Sequence, residues 1–197
     1  MRPFALLFSL LLASASLQSQ SQQGSWEFSL SGQLSSYSSS LYVQGSSVPF
    51  KVVESFTALS LALRPGYYFL DGVAFEPEFV WTAYELGPPS FNLSANLAFN
   101  LQIPNSQIMP FVLGGYGFGN AVPAPVAQGS VVQVSPDFDV QNLNLGAGLK
   151  VFPANQFAVR IEYRYQRFDN PYENDSRFDR AVEYRHNILF GFSVFVF

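Results

Sequence analysis

The chain has 197 residues, of which 48% are hydrophobic and 17% aromatic, but only 12% are charged. Soluble domains carry about 25% charged residues, so an ordinary water-exposed surface is not expected. The net charge of −4 argues against a nucleic-acid-binding protein, and the absence of cysteine excludes disulfides, thiolate metal sites and a lipidated cysteine.

The first residues have the pattern of a secretory signal peptide. Arg2 precedes an apolar run over residues 4–13, and Ser14-Ala15-Ser16 then supplies small residues at A-x-A-like spacing. The run is too short for a transmembrane helix, which needs about 20 apolar residues. We therefore predict a signal peptide over residues 1–21, cleaved after Ala15 or as late as residue 21, and one domain over residues 22–197.

The domain alternates apolar and polar residues with a period of two. The predicted strands cover residues 25–37, 55–64, 73–85, 91–103, 109–120, 138–152, 156–168 and 181–197. The fourth is the clearest, because apolar residues at every odd position from Phe91 to Ile103 alternate with polar or small ones, whereas a helix would scatter them around its circumference. Strands that are apolar outward and polar inward are typical of a membrane barrel. The predicted fold is all-β: an eight-stranded antiparallel up-and-down transmembrane β-barrel.

The connections between these strands alternate in length. Short turns are predicted at residues 64–72, 104–107 and 153–155, and the other connections at residues 38–54, 86–90, 121–137 and 169–180. In bacterial outer-membrane barrels the short turns are periplasmic, so both termini are expected on that side.

Aromatic residues cluster at the predicted strand ends, which indicates two interfacial girdles. The expected periplasmic girdle comprises Trp26, Tyr67, Tyr68 and Phe197, and the expected outer girdle Tyr37, Trp81, Tyr84, Tyr165 and Tyr184.

Segments of the second half carry a family resemblance. PFVLGGYGFG, LNLGAGLKVFP, FAVRIEYRYQRF and YRHNILFGFSVFVF occur in the order found in the outer-membrane β-barrel domain family, which includes the small OmpA- and OmpX-type barrels. The chain resembles that family over roughly residues 22–197, with the motifs concentrated in residues 109–197. The resemblance implies an outer-membrane location and an aromatic assembly signal, Phe195 and Phe197, that the barrel assembly machinery reads during biogenesis.

The sequence does not decide which residues of the fifth and eighth strands face lipid. The fifth is rich in glycine. In the eighth, the face with Phe195 and Phe197 also holds Gly191 and Ser193, while the opposite face is more apolar. Either face could therefore meet lipid.

Alternation places one set of charged residues on the inward faces. These residues are Glu27, Glu76, Glu78, Lys150, Arg160, Glu162 and Arg164. An isolated charge in a low-dielectric interior is expensive, so we expect a structural salt-bridge network that fills the barrel. The alternative is a gated ion path, for which an eight-stranded barrel has little room.

His186, the only histidine, lies near Glu183. Some small outer-membrane barrels are lipid-modifying enzymes that use a Ser–His–acid arrangement, but no serine here carries a nucleophile motif. We therefore expect His186 to be a polar residue near a strand end. A lone histidine also makes no convincing metal site, so no catalytic residue, cofactor or metal is predicted.

The predicted function is that of a non-enzymatic integral outer-membrane protein with a structural or surface-interaction role. The alternatives are a small pore or transporter and, less favoured, a lipid-modifying enzyme. A soluble lipocalin-like barrel would need polar outward faces, which the alternation argues against. The expected partners are outer-membrane lipids, lipopolysaccharide and the assembly machinery, with no nucleic acid, and we expect a monomer.

Overall fold

The computed structural model describes residues 21–43, 49–52, 58–84, 89–120, 140–171 and 178–197. The strands are β1 (Trp26–Val43), β2 (Pro49–Val52), β3 (Ala58–Leu70), β4 (Val73–Tyr84), β5 (Ser90–Asn100), β6 (Ile108–Gly119), β7 (Val140–Ala154), β8 (Phe157–Pro171) and β9 (Phe178–Val196). None of these ranges contains a helix of the length and apolarity needed to span a membrane.

The strands form a closed antiparallel barrel. β1 pairs with β3, and each strand from β3 to β8 pairs with the next along the chain. The sheet closes between β1 and β9, which pair from Trp26↔Val196 to Val43↔Phe178. The predicted eight-stranded up-and-down barrel is therefore confirmed, with β1 and β3–β9 as its strands.

The strand ends differ from the prediction. The predicted loop at residues 38–54 contains the end of β1 and all of β2, which pair from Ser39↔Val52 to Tyr42↔Pro49. The predicted turn at residues 64–72 is strand as far as Leu70, because inward and outward side chains keep alternating through that segment. The chain reverses at Asp71 and Gly72, where Gly72 has a φ of 75° that glycine adopts without steric cost.

Side-chain direction resolves the two open registers. In β9 the more apolar face points outward, from Ile188 to Val196, and Phe195 points into the barrel. In β6 the inward positions are Met109, Phe111 and Leu113, followed by glycines. Together with the other strands, these outward faces form an apolar belt around the barrel.

The ladder between β3 and β4 is interrupted between Leu63↔Phe79 and Tyr67↔Phe75. The register places Pro65 opposite Pro77 in this gap. Because proline has no N–H group, the two bonds that a hydrogen-bonded pair exchanges cannot form here. This seam is the one place in the described barrel wall where two prolines face each other.

The two ends of the barrel are unlike each other. We call the end with the short connections at residues 71–72, 101–107 and 155–156 the turn end, and the opposite end the loop end. An apolar cluster fills the interior at the turn end: Tyr68, Ala74, Ala98, Met109, Phe111, Leu113, Phe152, Ala158 and Phe195.

Residues 21–25 cross the turn end beside this cluster. The Gly72 N–H donates to the Ser21 carbonyl at 2.9 Å, and the Gly24 N–H donates to the Tyr68 carbonyl at 2.8 Å. Ser21 is completely buried. This segment is therefore part of the folded barrel and helps to fill its mouth.

Candidate functional site

Eight charged side chains fill the middle of the barrel, each at most 2% exposed. They are Glu27, Arg64, Glu76, Glu78, Lys150, Arg160, Glu162 and Arg164, and we call them the interior network. All seven residues that the sequence predicted lie in it. Its four carboxylates and four cations sum to zero net charge.

Arg64 is the member that sequence reasoning missed. Its predicted strand ended at this residue, so the charge was assigned to a turn. The alternation of the strand could have predicted its inward direction. Ser60, Ala62 and Arg64 occupy successive positions on the same face of β3, and all three are buried.

Arg160 on β8 reaches across the lumen to β4. Its Nη2 and Nη1 atoms donate to Glu76 Oε2 and Oε1 at 3.0 and 3.3 Å, and its Nε donates to Glu162 Oε2 at 3.1 Å. Its Nη1 also lies 3.5 Å from Glu27 Oε1. Two-point contact with a carboxylate fixes the orientation of a guanidinium group as well as its position, so Arg160 locks opposite walls together.

Glu162 is shared by the guanidinium groups on both sides of it. Arg64 Nη1 donates to its Oε2 at 2.9 Å, and Arg164 Nε donates to its Oε1 at 2.6 Å. Both arginines also contact Glu78, with Arg164 Nη1 at 2.7 Å from Glu78 Oε2 and Arg64 paired through its Nε. The Arg64–Glu78 pair joins β3 to β4 on the inner side of the proline seam.

Lys150 and Glu27 connect the interior network to the apolar cluster. Lys150 Nζ lies 2.5 Å from Glu27 Oε2, to which the Tyr68 hydroxyl also donates at 2.7 Å. Ser193 Oγ donates to the other carboxylate oxygen at 2.7 Å. The prediction that Tyr68 belongs to the periplasmic girdle is therefore wrong. Tyr67 points outward, and the alternation of a strand sends its neighbour inward.

The glycines of β7 make room for this arrangement. A Cβ atom on Gly148 would lie 2.3 Å from the Ile161 carbonyl oxygen and 2.7 Å from Phe111 Cζ. Phe111 can therefore lie against β7, where its ring centroid is 4.3 Å from Arg160 Cζ. The GAGLK motif thus has a packing explanation.

A chain of amide side chains lies above the interior network, toward the loop end. Gln33 donates to Asn187 at 3.1 Å, Asn187 to Gln166 at 2.7 Å, and Gln166 to Asn144 at 2.6 Å. Asn144 in turn lies at 3.4 Å from the Asn96 amide oxygen. These contacts cross from β1 through β9, β8 and β7 to β5, so the interior remains hydrogen-bonded above the ion pairs.

Glu183 and Arg185 form a further buried ion pair, outside the interior network and near the loop end. The Arg185 guanidinium carbon lies 4.1 Å from the centroid of the Phe168 ring. Both residues face the interior of the barrel.

His186 faces the opposite way. It is exposed on the outer surface, where its Nδ1 lies 2.7 Å from the Tyr163 hydroxyl. Since adjacent residues of a strand point to opposite faces, the backbone wall separates His186 from the inward Glu183. The Ser–His–acid alternative therefore cannot use Glu183. In the part of the chain that the structure describes, no group of three or more histidine or acidic residues could hold a metal ion.

The two residues of the suggested assembly signal lie in different environments. Phe195 is buried and its ring contacts those of Phe152 and Tyr68, with centroids 5.2 and 6.3 Å away. Phe197 is 61% exposed at the turn end. Trp26 and Tyr67 lie at the same end with ring centroids 5.0 Å apart. The side chains of Tyr37 and Tyr84, assigned to the outer girdle, lie outside the described set.

Comparison with known proteins agrees with this architecture. The chain is similar to three solved structures: Neisserial surface protein A (10% identity, TM-score 0.57, covering 87% of this chain and 99% of that one), a de novo designed transmembrane β-barrel (8% identity, TM-score 0.52, covering 89% and 98%) and the N-terminal barrel of Pseudomonas aeruginosa OprF (14% identity, TM-score 0.50, covering 86% and 98%). At these identities the likeness concerns the fold alone. No curated protein matches the chain in sequence.

The family model of the outer membrane protein beta-barrel domain matches residues 5–194, which is nearly the whole chain. With the closed barrel, the apolar outward belt and the polar interior, this match also indicates the outer membrane as the location. The chain belongs to the outer membrane protein beta-barrel domain family.

Proposed function

We propose that this protein is a non-enzymatic integral protein of the bacterial outer membrane, with a structural or surface-interaction role and a barrel that does not conduct. The interior network carries this proposal. Its eight charges are buried, paired with one another and sum to zero. This supports a structural role in which ion pairs connect strands across the barrel interior.

The filled interior argues against the pore alternative. An ion passing through would have to separate pairs such as Arg160–Glu76 and then cross the apolar cluster and residues 21–25 at the turn end. Eight-stranded barrels are just wide enough for side chains to fill them. Conduction would therefore need a rearrangement of the interior network.

We assign the turn end to the periplasm and the loop end to the cell exterior, as the arrangement of bacterial outer-membrane barrels suggests. The burial and hydrogen bonds of Ser21 further suggest that the mature chain retains this residue. Cleavage of the proposed signal peptide would then occur after a residue between 15 and 20. N-terminal sequencing of the mature protein tests this, and a first residue beyond Ser21 would contradict it.

Single-channel recording in planar lipid bilayers tests the non-conducting barrel. Folded protein, verified by a shift in gel mobility between heated and unheated samples, should leave the membrane current at the level of a protein-free bilayer. Reproducible current steps would overturn the proposal in favour of a pore. Mass spectrometry of lipid A from cells with and without the gene tests the enzyme alternative, and we expect identical spectra.

A further inference from the structure

One stretch of the outer surface departs from the apolar belt. Near the loop end of β8 and β9, an outward-facing cluster combines aromatic, polar and charged side chains, and we call it the β8–β9 patch: Tyr163, Tyr165, Arg167, Asp169, Tyr184 and His186. The corresponding outward positions near the loop end of β3, β4 and β5 are apolar, as at Leu59, Trp81 and Leu93. Among the described residues, polar outward side chains near the loop end therefore lie on β6–β9, where Tyr116 and Gln141 also share a hydrogen bond, and not on β3–β5.

The patch lies at the depth of lipid head groups. Tyr165 and Arg167 lie eight and ten residues beyond Phe157, where β8 begins at the turn end. A tilted strand crosses the hydrocarbon core in about 9–11 residues. With the loop end outward, as proposed above, the patch meets the outer leaflet.

The aromatic part of the patch offers flat, ordered faces. The rings of Tyr165 and Tyr184 are stacked with centroids 6.2 Å apart, and the His186 ring lies 5.5 Å from that of Tyr165. The hydrogen bond between Tyr163 and His186 holds the lower edge in place. Aromatic side chains with a polar tip suit an interface that is apolar below and wet above.

The charged part supplies groups for a polar ligand. Arg167 Nη2 lies 2.9 Å from Asp169 Oδ2, and both side chains remain more than a third exposed. The exposure belongs to the outer part of the guanidinium group, because the Nε atom of Arg167 is buried and has no hydrogen-bond partner among the described residues. A partly exposed guanidinium group that is oriented by one carboxylate can bind a phosphate oxygen, and the Asp169 carboxylate can accept hydrogen bonds from hydroxyl groups.

An apolar shelf continues directly below the patch. Ile188 pairs with Tyr163, and Phe190 pairs with Ile161 one step further down. All three apolar side chains are more than 40% exposed on the outer face. A ligand that fits the whole surface has acyl chains below, a ring system at the level of the tyrosines and an anionic group near Arg167.

We propose that the β8–β9 patch binds the head group of a phosphorylated glycolipid of the outer leaflet, with its sugar ring against Tyr165 and Tyr184 and a phosphate at Arg167. This deepens the proposed surface-interaction role and rests on the proposed orientation of the barrel. An ordinary phospholipid lacks the sugar, and a neutral glycolipid lacks the phosphate. The proposal therefore predicts discrimination against both.

Native mass spectrometry of the folded protein, released from detergent micelles, tests this discrimination. The probes are bisphosphorylated lipid A, the same lipid with both phosphates removed, and phosphatidylglycerol, added in equal amounts. Bisphosphorylated lipid A should be retained preferentially. Equal retention of phosphatidylglycerol would overturn the proposal.

Matched variants separate the parts of the site. Arg167→Gln should reduce binding of the bisphosphorylated lipid about tenfold, the expected effect of losing one charge-assisted hydrogen bond, and should leave the dephosphorylated lipid unaffected. Tyr165→Leu combined with Tyr184→Leu should weaken both glycolipids. Trp81→Leu removes an outward aromatic residue from β4 and serves as the control, with wild-type binding expected.

The results also distinguish this proposal from the proposed function. Wild-type binding by Arg167→Gln, or a loss with Trp81→Leu as large as with the tyrosine pair, would overturn the glycolipid site. A barrel that shifts on heating and does not conduct, yet shows no lipid preference, would contradict the glycolipid site alone. Each variant should keep the heat-dependent gel shift, because all the altered side chains lie on the outer face.

Discussion

Replacing Arg160 with alanine should strongly destabilise the barrel. The substitution removes the two-point contact with Glu76, the 3.1 Å hydrogen bond to Glu162 and the neighbouring charge that faces Glu27. The interior network then carries a net charge of −1 in a space that water does not reach. Breaking a buried ion pair by removing one partner costs about 3–5 kcal/mol, because the remaining charge is left uncompensated.

Urea unfolding from lipid vesicles, followed by the fluorescence of the two tryptophans, measures this loss. Arg167→Ala is the matched control, since the pair with Asp169 is more than a third exposed and exposed pairs contribute about 0–1 kcal/mol. Combining Arg160→Met with Glu76→Gln removes opposite charges together. This double variant should lose less free energy of unfolding than the sum of its single variants.

If Arg160→Ala and Arg167→Ala unfold at the same urea concentration with the same slope, the Arg160 contacts do not brace the barrel. Strict additivity of Arg160→Met and Glu76→Gln would likewise show that the two residues are not coupled.

Two further predictions concern the backbone of the barrel wall. Gly148→Ala should lower the free energy of unfolding by about 1–3 kcal/mol, because the added Cβ would overlap the Ile161 carbonyl oxygen, whereas Gly114→Ala meets only ordinary contacts and should be near neutral in the same urea assay. Combining Pro65→Val with Pro77→Val introduces two N–H donors at the β3–β4 seam. Each backbone hydrogen bond that they form should stabilise the barrel by about 0.5–1.5 kcal/mol. Unchanged hydrogen exchange at the neighbouring amides of β3 and β4 in the valine variant would show that the ladder is not weakened there.

Much of the barrel follows from the alternation of residues within single strands, which can be read from the sequence. In β5 every odd residue is apolar, and the pleat of a strand turns that pattern into an outward apolar face. The same alternation predicts which charged residues point inward: Glu76, Glu78, Arg160, Glu162 and Arg164. The ends of the strands were harder to predict, because β3 continues through Pro65 and Gly66, residues that commonly mark a turn.

The composition and alternation of this chain by themselves determined a membrane barrel with charges inside it. Only the tertiary structure decided which residues meet. Glu27 pairs with Lys150, Arg64 pairs with Glu162, and Pro65 lies opposite Pro77 in the β3–β4 seam. It also placed Ser21 in the mouth of the barrel and turned Tyr68 toward Glu27. The physical reason is that alternation fixes the face of a residue within its own strand. Its partners depend on the register between strands and on barrel closure, which join residues far apart in the chain.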